Sequence, residues 1–154
     1  MTYLILKYVH ILAAVVVAGT GTGIAFFMFT AIRSKDAHLI RVTARNVVRA
    51  DWLFTTPAIV VQIATGIALM QVLGIAWTGT WSMTVLVLYA IVAGCWIPVV
   101  VIQYRMRDSV DVEDARFRTL ARTWIILGAI AFTIILVLFW LMVARPLSLS
   151  FSVQ

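Results

Sequence analysis

Four long apolar stretches occupy most of this chain, and its charged residues are concentrated in two of the gaps between them. The stretches lie near residues 3–30, 52–73, 81–103 and 123–144, and each reaches the roughly 20 apolar residues with which a helix crosses a bilayer. The mean hydropathy is +1.07 and only 12% of residues are charged, so a soluble fold could not cover the apolar surface. The sequence therefore predicts a membrane-embedded protein.

The stretches predict helices rather than strands. They are too long for barrel strands and lack a two-residue alternation, and lipid accepts only helices and closed barrels. We expect an all-α integral membrane four-helix bundle formed by residues 1–154 as one domain, with helices near 3–30, 36–73, 81–103 and 112–144. The first stretch exceeds a signal-peptide core and contains Lys7, so a retained helix is predicted. Cys95 is the only cysteine, which excludes an intrachain disulfide.

The basic residues predict how the bundle is oriented. The gap from Gly74 to Thr80 has none, whereas the first and third gaps have five each. By the positive-inside rule these two gaps face the cytoplasm and both termini lie on the non-cytoplasmic side. We expect a multi-pass protein of the bacterial cytoplasmic (inner) membrane. The basic residues of the two gaps are Arg33, Lys35, Arg41, Arg45, Arg49, Arg105, Arg107, Arg116, Arg118 and Arg122.

The first basic gap is predicted to be helical, because residues 36–56 contain no Pro or Gly. Arg41, Arg45 and Arg49 recur every four residues and would form a basic ladder on one face of a second helix that starts near Asp36. Anionic lipid headgroups are the expected partners of this ladder, and no nucleic acid is expected because no recognition fold surrounds the arginines. The face away from the ladder is predicted to hold Leu39, Val42 and Val47.

Two further sets of residues are expected at the membrane surfaces. The third gap supplies acidic residues that could act as counterions for the ladder. These are Asp108, Asp111, Glu113 and Asp114. Five tryptophans near the ends of the stretches are expected to be interfacial anchors. They are Trp52, Trp77, Trp81, Trp124 and Trp140.

Polar residues inside the apolar stretches are the candidates for function, because each costs free energy in lipid unless it pairs or faces the bundle interior. His10 lies seven residues into the first stretch, about 10 Å along the helix axis. Lys7 lies one turn away on the same side and is long enough to reach the membrane surface. His10 is too short to do so, which makes it the leading candidate for a metal or cofactor ligand; a hydrogen-bonded structural histidine is the alternative.

The second stretch has a face of small and polar residues that is expected to point into the bundle. This face comprises Asp51, Thr55, Ala58, Gln62, Thr65 and Gly66. Pro57 lacks an N–H and is expected to kink the helix. Counting inward from the outer ends places Gly66 and Tyr89 at about the depth of His10. Gly66 would then make room for a ligand, and Tyr89 or Gln62 would orient it.

A haem held between two histidines of one chain is excluded, because the other histidine, His38, falls in the cytoplasmic gap. The second axial position would belong to a methionine, Lys7, Tyr89, an open site or His10 of a second copy. A quinone hydrogen-bonded to His10 is the alternative cofactor.

Particular strings carry a family resemblance. They are Arg49-Ala-Asp51-Trp52-Leu-Phe-Thr-Thr-Pro57-Ala and Gly94-Cys-Trp96-Ile-Pro98-Val-Val-Val-Ile-Gln103, with Lys7-Tyr-Val-His10 opening the first helix. In these strings the chain resembles a bacterial family of predicted four-helix integral membrane proteins, domain of unknown function 2269. The resemblance implies the membrane fold and brings no activity with it.

The chain also resembles, more distantly, the four-helix oxygen-independent protoporphyrinogen IX oxidases of bacterial membranes. The matching positions are Lys7, His10, Arg49, Thr56, Pro57, Ala58 and Gly66. The resemblance implies a b-type haem served by His10. That family has a lysine about one turn after the tryptophan of the third helix, whereas here Val85 follows Trp81 at that spacing. This departure argues against the same oxidase chemistry.

The leading hypothesis is a membrane redox or cofactor-binding protein with its site at His10, Lys7, Gly66, Tyr89 and Gln62. One alternative is a non-enzymatic scaffold or homo-oligomer that associates through Gly19 and Gly23, whose four-residue spacing lets helices approach closely. A small transporter is a third hypothesis and would require dimerisation. Hydrolase and kinase chemistry are not expected, since the sequence has no nucleophile triad, paired carboxylates or phosphate loop.

Overall fold

The computed structural model describes residues 1–108 and 114–144, and within these ranges it is helical with no strand. Four long helices follow one another: α1 (Thr2–Ser34), α2 (Ala37–Val72), α3 (Thr80–Arg107) and α4 (Ala115–Val143). Each is long and apolar enough to span a membrane, with mean hydropathies between 1.8 and 2.8 in the most apolar windows. The prediction of an all-α, four-helix membrane protein is confirmed.

The helices run beyond the apolar stretches at one end of the bundle. Here α1 continues to Ser34 rather than to residue 30, and α3 continues to Arg107 rather than to residue 103. We call this the basic end, because it includes the end of α1, the start of α2, the end of α3 and the start of α4, where the basic residues cluster. The other end, with the start of α1 and the Gly74–Thr80 connection, is called the N-terminal end. The predicted start of the fourth helix at residue 112, together with Asp111 and Glu113, lies outside the described residues.

A two-residue turn joins α1 to α2 at the basic end. Lys35 adopts the left-handed conformation (φ 57°) that ends many helices, and Asp36 follows in an extended conformation. The Asp36 carboxylate accepts hydrogen bonds from the backbone N–H groups of His38 at 2.8 Å and Leu39 at 3.2 Å. Asp36 therefore caps α2, which begins where the sequence predicted.

The first turns of α2 are amphipathic as predicted, but the apolar face differs in detail. Arg41, Arg45 and Arg49 are all exposed on one side. Leu39 and Val42, predicted to lie away from the ladder, retain 41% and 39% of their surface exposed, so they lie at the edge of the buried face. The side chains that enter the core are Ile40, Ala44, Val47 and Val48. These residues recur at spacings of three or four from Ile40, and their face of α2 packs against the neighbouring helices.

The middle of α2 widens into a π-helical turn at Asp51–Thr55, which ends two residues before Pro57. The proline ring has no N–H and would clash with the carbonyl four residues earlier, so the chain cannot keep ordinary α-helical bonding here. The N–H of Thr56 instead bonds the carbonyl of Asp51, five residues back. Such turns recur at functional sites.

The helices pack in two hairpins, α1 with α2 and α3 with α4. The first half of α2 also contacts α3, and α1 contacts α4. The apolar core is concentrated towards the basic end. It consists of Ile24, Met28, Ala31, Ile40, Ala44, Val47, Ile102, Met106, Phe117, Ala121 and Trp124. Trp124 is 5% exposed, so its predicted role as an interfacial anchor is wrong: it is a core residue.

Candidate functional site

His10 is half-buried on α1 and its ring is bonded to α2 through both nitrogens. Nδ1 lies 2.9 Å from Oγ1 of Thr65, and Nε2 lies 3.0 Å from Nε2 of Gln62. Gln62 and Thr65 are three residues apart, so both side chains project from one face of α2 towards the ring. The two helices are thus joined by a polar clamp of His10, Gln62 and Thr65.

The hydrogen bonds of Thr65 fix the tautomer of His10. The Thr65 hydroxyl donates to the carbonyl of Val61 at 2.6 Å, so its oxygen is free to accept a proton from Nδ1 of the ring. The Gln62 amide N–H then donates to the lone pair on Nε2. This assignment gives the imidazole a partner on each nitrogen and leaves it neutral, with its proton on Nδ1.

Gly66 makes room for the ring of His10. A Cβ atom at Gly66 would lie 3.3 Å from Cε1 of the imidazole, closer than most side-chain contacts, and 3.9 Å from Nδ1, an ordinary van der Waals distance. The glycine therefore lets α2 approach the histidine. This contact agrees with the prediction that Gly66 and His10 lie at one depth. Gly66 was also predicted to make room for a ligand, but in the structure that space is occupied by the His10 ring.

The structure brings together three of the five predicted site residues, His10, Gln62 and Gly66. Lys7 is exposed, and its amino group lies 5.8 Å from the ring centroid of Tyr3 on its own helix. Tyr89 is half-buried on α3, and among the described residues neither it nor Lys7 hydrogen-bonds to His10. The site is therefore built by α1 and α2.

Thr65 is a member of the clamp that the predicted site omitted. The sequence placed it on the inward face of the second helix but gave it no role at the histidine. A signal was present, since Thr65 lies one turn from Gln62 and next to Gly66. Gln62 also has an amide oxygen, Oε1, that is buried without a hydrogen-bond partner.

His38 lies at the opposite end from the clamp, exposed in the first turn of α2. In the described part of the chain no three side chains from His, Cys, Asp and Glu are grouped as metal ligands. His10 is accordingly the imidazole on which any cofactor hypothesis for this site depends.

A comparison with protein families places the chain in a group. The model of a family described as predicted integral membrane protein (DUF2269) matches residues 4–146, nearly the full length. The chain belongs to this family. Neither a curated protein nor a solved structure matches significantly. The family description gives a location in the membrane and no reaction, and all three clamp residues lie within the matched region.

Proposed function

We propose that this family member is a membrane redox protein that binds a b-type haem through Nε2 of His10. The observation that supports the proposal is the hydrogen bond from Nδ1 of the ring to Thr65. Histidines that ligate metals commonly donate their second ring N–H to an oxygen, which fixes the tautomer and directs the other nitrogen to the metal. His10 has this arrangement, with Nε2 as the nitrogen that carries the lone pair.

The residues present fit a haem on one condition. The lone pair on Nε2 accepts a hydrogen bond from Gln62, so the amide must rotate away before the nitrogen can bind iron. Gln62 is a flexible, half-buried side chain whose Oε1 has no partner, and its rotation breaks a single hydrogen bond. A bound haem would supply one-electron transfer.

The protein's own residues would have three tasks at such a site. Thr65 holds the ring in the ligating tautomer, and Gly66 allows α2 to approach closely enough for that bond to form. Gln62 protects the lone pair before ligation. The same tautomer also accepts a hydrogen bond from the hydroxyl of a quinol, which makes a quinone the alternative cofactor.

The test is a dithionite-reduced minus oxidised visible spectrum of the protein purified in mild detergent from haem-replete cells. His10→Ala is recorded beside it, with His38→Ala as the matched control because His38 is exposed at the other end. We expect Soret and α bands in the wild type and in His38→Ala, and their loss in His10→Ala. A colourless wild type would exclude haem and leave the quinone and scaffold hypotheses.

Gln62 and Thr65 separate the roles within the clamp. Gln62→Ala should retain the haem, since the displaced amide is no iron ligand, whereas Thr65→Val should reduce haem occupancy because the tautomer is no longer fixed. Equal retention in both variants would contradict the role assigned to Thr65.

A non-enzymatic bundle is the second candidate, and two observations favour it. Both nitrogens of His10 already have partners in the chain, as in a purely structural histidine. A Cβ atom added at Gly19 or Gly23 would meet nothing within 4 Å, so their face is free for a second copy. Gly19→Leu should then change the oligomeric state in detergent, measured by light scattering, while Gly128→Leu on α4, which is equally open, should not.

The membrane location also leads to a proposal on orientation. The basic end faces the cytoplasm of a bacterial inner membrane, and Arg41, Arg45 and Arg49 contact anionic headgroups there; their exposure on one face of α2 supports this. Ser34→Cys and Thr78→Cys report the two ends, because Cys95 is buried. In intact spheroplasts a membrane-impermeant thiol reagent should label Thr78→Cys and spare Ser34→Cys.

A further inference from the structure

A second polar cluster lies where α2 crosses α3, away from the clamp. Asp51 and Thr55 belong to the π-helical turn of α2, and Trp96 and Gln103 lie two turns apart on one face of α3. Asp51 is 4% exposed and Gln103 is fully buried, so both polar side chains are enclosed by the bundle. Asp51 is 11 residues from Gln62, or about 16 Å along the helix axis. The cluster is thus independent of His10.

The polar atoms of this cluster are poorly satisfied. Thr55, Gln103 and Trp96 are the polar neighbours of the Asp51 carboxyl group. Yet Oδ2 of Asp51, Oγ1 of Thr55, both amide atoms of Gln103 and Nε1 of Trp96 are buried without a hydrogen bond of good geometry. Buried polar atoms in folded proteins nearly always have partners, so the atoms gathered here require further hydrogen bonds, and the protonation state of Asp51 decides which of them can form.

Within residues 1–108 and 114–144, no positive charge is paired with the carboxyl group. Between His10 and Arg33 α1 has no titratable residue, and neither has α4 between Arg122 and its end at Val143. The adjoining parts of α2 and α3 have three exposed arginines, Arg45, Arg49 and Arg105. Their other titratable groups are the buried Cys95 and Tyr104, which accepts a hydrogen bond from Trp52.

Thr55, the Gln103 amide and Trp96 can all donate hydrogen bonds to the carboxyl group, and an ionised carboxylate would accept them too. The neutral acid is favoured by burial without a counterion and by the unpaired acceptor on Gln103. Trp96 is a donor only and can donate to the carbonyl oxygen of the acid. Gln103 presents an unpaired acceptor, Oε1, which needs a donor, and an acid O–H supplies one. A metal cation would leave the Trp96 N–H facing a positive charge, and an ionised carboxylate would be buried without a counterion.

We propose that Asp51 is a proton-binding site, buried as the neutral carboxylic acid with its O–H directed to Gln103 or Thr55. Loss of the proton breaks the O–H bond, leaves the bonding electron pair on the carboxylate and transfers the proton to water at the basic end. No oxidant or reductant takes part. The π-helical turn places the carboxyl group at the α2–α3 contact, so proton loss puts an uncompensated charge there.

The first experiment records infrared spectra of the protein in lipid and subtracts the spectrum of each variant from that of the wild type. The wild type should show a carboxylic acid C=O band that shifts in D2O and is absent in Asp51→Asn. Gln103→Leu should shift the same band by removing its hydrogen-bond partner, while the matched control Asp36→Asn, at an exposed carboxylate, should leave it unchanged. Absence of an acid band that depends on Asp51 would overturn the proposal.

Stability measurements keep the test independent of the spectrum. Asparagine resembles the neutral acid in shape and charge, so Asp51→Asn should unfold at the same temperature as the wild type, whereas Asp51→Ala should unfold at a lower one. A wild-type unfolding temperature that rises with Na⁺ or K⁺ at constant ionic strength, and does so only when Asp51 is present, would overturn the proposal in favour of a cation site.

Discussion

The two ends of the bundle are held together in different ways. At the basic end Met28, Ile40 and Met106 are almost completely buried in a continuous apolar core. At the N-terminal end few side chains are buried, and the closest link between α1 and α2 is the polar clamp at His10. The same four helices therefore depend on apolar packing at one end and on hydrogen bonds at the other.

Part of the difference follows from position along the helices, since the clamp lies within the apolar stretches, whereas over half of the core residues at the basic end lie beyond them. Helices that project from the membrane meet water, where burying apolar surface is favourable. Helices surrounded by lipid gain nothing from removing apolar surface from lipid, so packing and hydrogen bonds hold them together. The predictions that follow test this contrast, from the largest expected effect to the smallest.

Met28→Ala should produce the largest loss. Met28 is completely buried, and removing a buried methionine side chain costs about 2–5 kcal/mol when the surroundings cannot collapse into the cavity. The measurement is the free energy of unfolding in mixed detergent and SDS micelles. Met83→Ala is the control, since Met83 is 48% exposed on α3. Equal losses in the two variants would show that the basic end is no better packed than the lipid-facing surface.

The clamp should contribute less. A double-mutant cycle on His10→Ala and Gln62→Ala should give a coupling free energy of about 0.6 kcal/mol, with roughly 1.7 as the upper bound for hydrogen bonds between membrane helices. The control cycle pairs His10→Ala with Tyr104→Phe, whose hydroxyl bonds Trp52 at the other end. That pair should be additive. A coupling free energy of zero between His10 and Gln62 would show that the clamp does not stabilise the N-terminal end.

Gly66→Ala and Gly128→Ala form a matched pair. Both glycines lie within helices, where alanine is favoured by roughly 0.5–1 kcal/mol. A Cβ at Gly128 meets nothing within 4 Å, so Gly128→Ala should gain this stability, whereas at Gly66 the new methyl presses on Cε1 of His10 and offsets the gain. Thermal unfolding checks the order. If Gly66→Ala were stabilised as much as Gly128→Ala, the His10 ring would move away from the new methyl group at no cost.

The smallest effect is expected at the exposed cap of α2. Hydrogen bonds from the N–H groups of Leu39 and His38 hold the pKa of the Asp36 carboxyl below its usual value. Its stabilisation is present above the unfolded-state pKa of about 3.9 and is lost as the pH falls through the lower folded-state pKa. The free energy of unfolding of the wild type should thus be constant above this range and decrease in acid. Asp36→Asn should lack this part of the pH dependence.

Particular residues show how far the sequence could be read. The start of α2 at Asp36 and the exposed ladder at Arg41 to Arg49 agree with the patterns that predicted them, and Gly66 lies at the depth of His10. The hydrogen bond between His10 and Gln62 was not predicted. Tyr89 was placed near His10 by counting depth, but depth leaves the rotation of a helix free, and no bond joins the two. Trp124 was misplaced for a similar reason, because position near a span end does not say which way a side chain points.

The sequence by itself determined the presence of the four helices and the segregation of charge, because crossing a bilayer requires long apolar runs with internally bonded backbones. Only the tertiary structure decided which polar groups meet. The proton on Nδ1 of His10 depends on Thr65, and the buried Asp51 lies beside Gln103, 52 residues further along the chain. Such partners are set by helix rotation and by the π-helical turn before Pro57, which local sequence patterns do not specify.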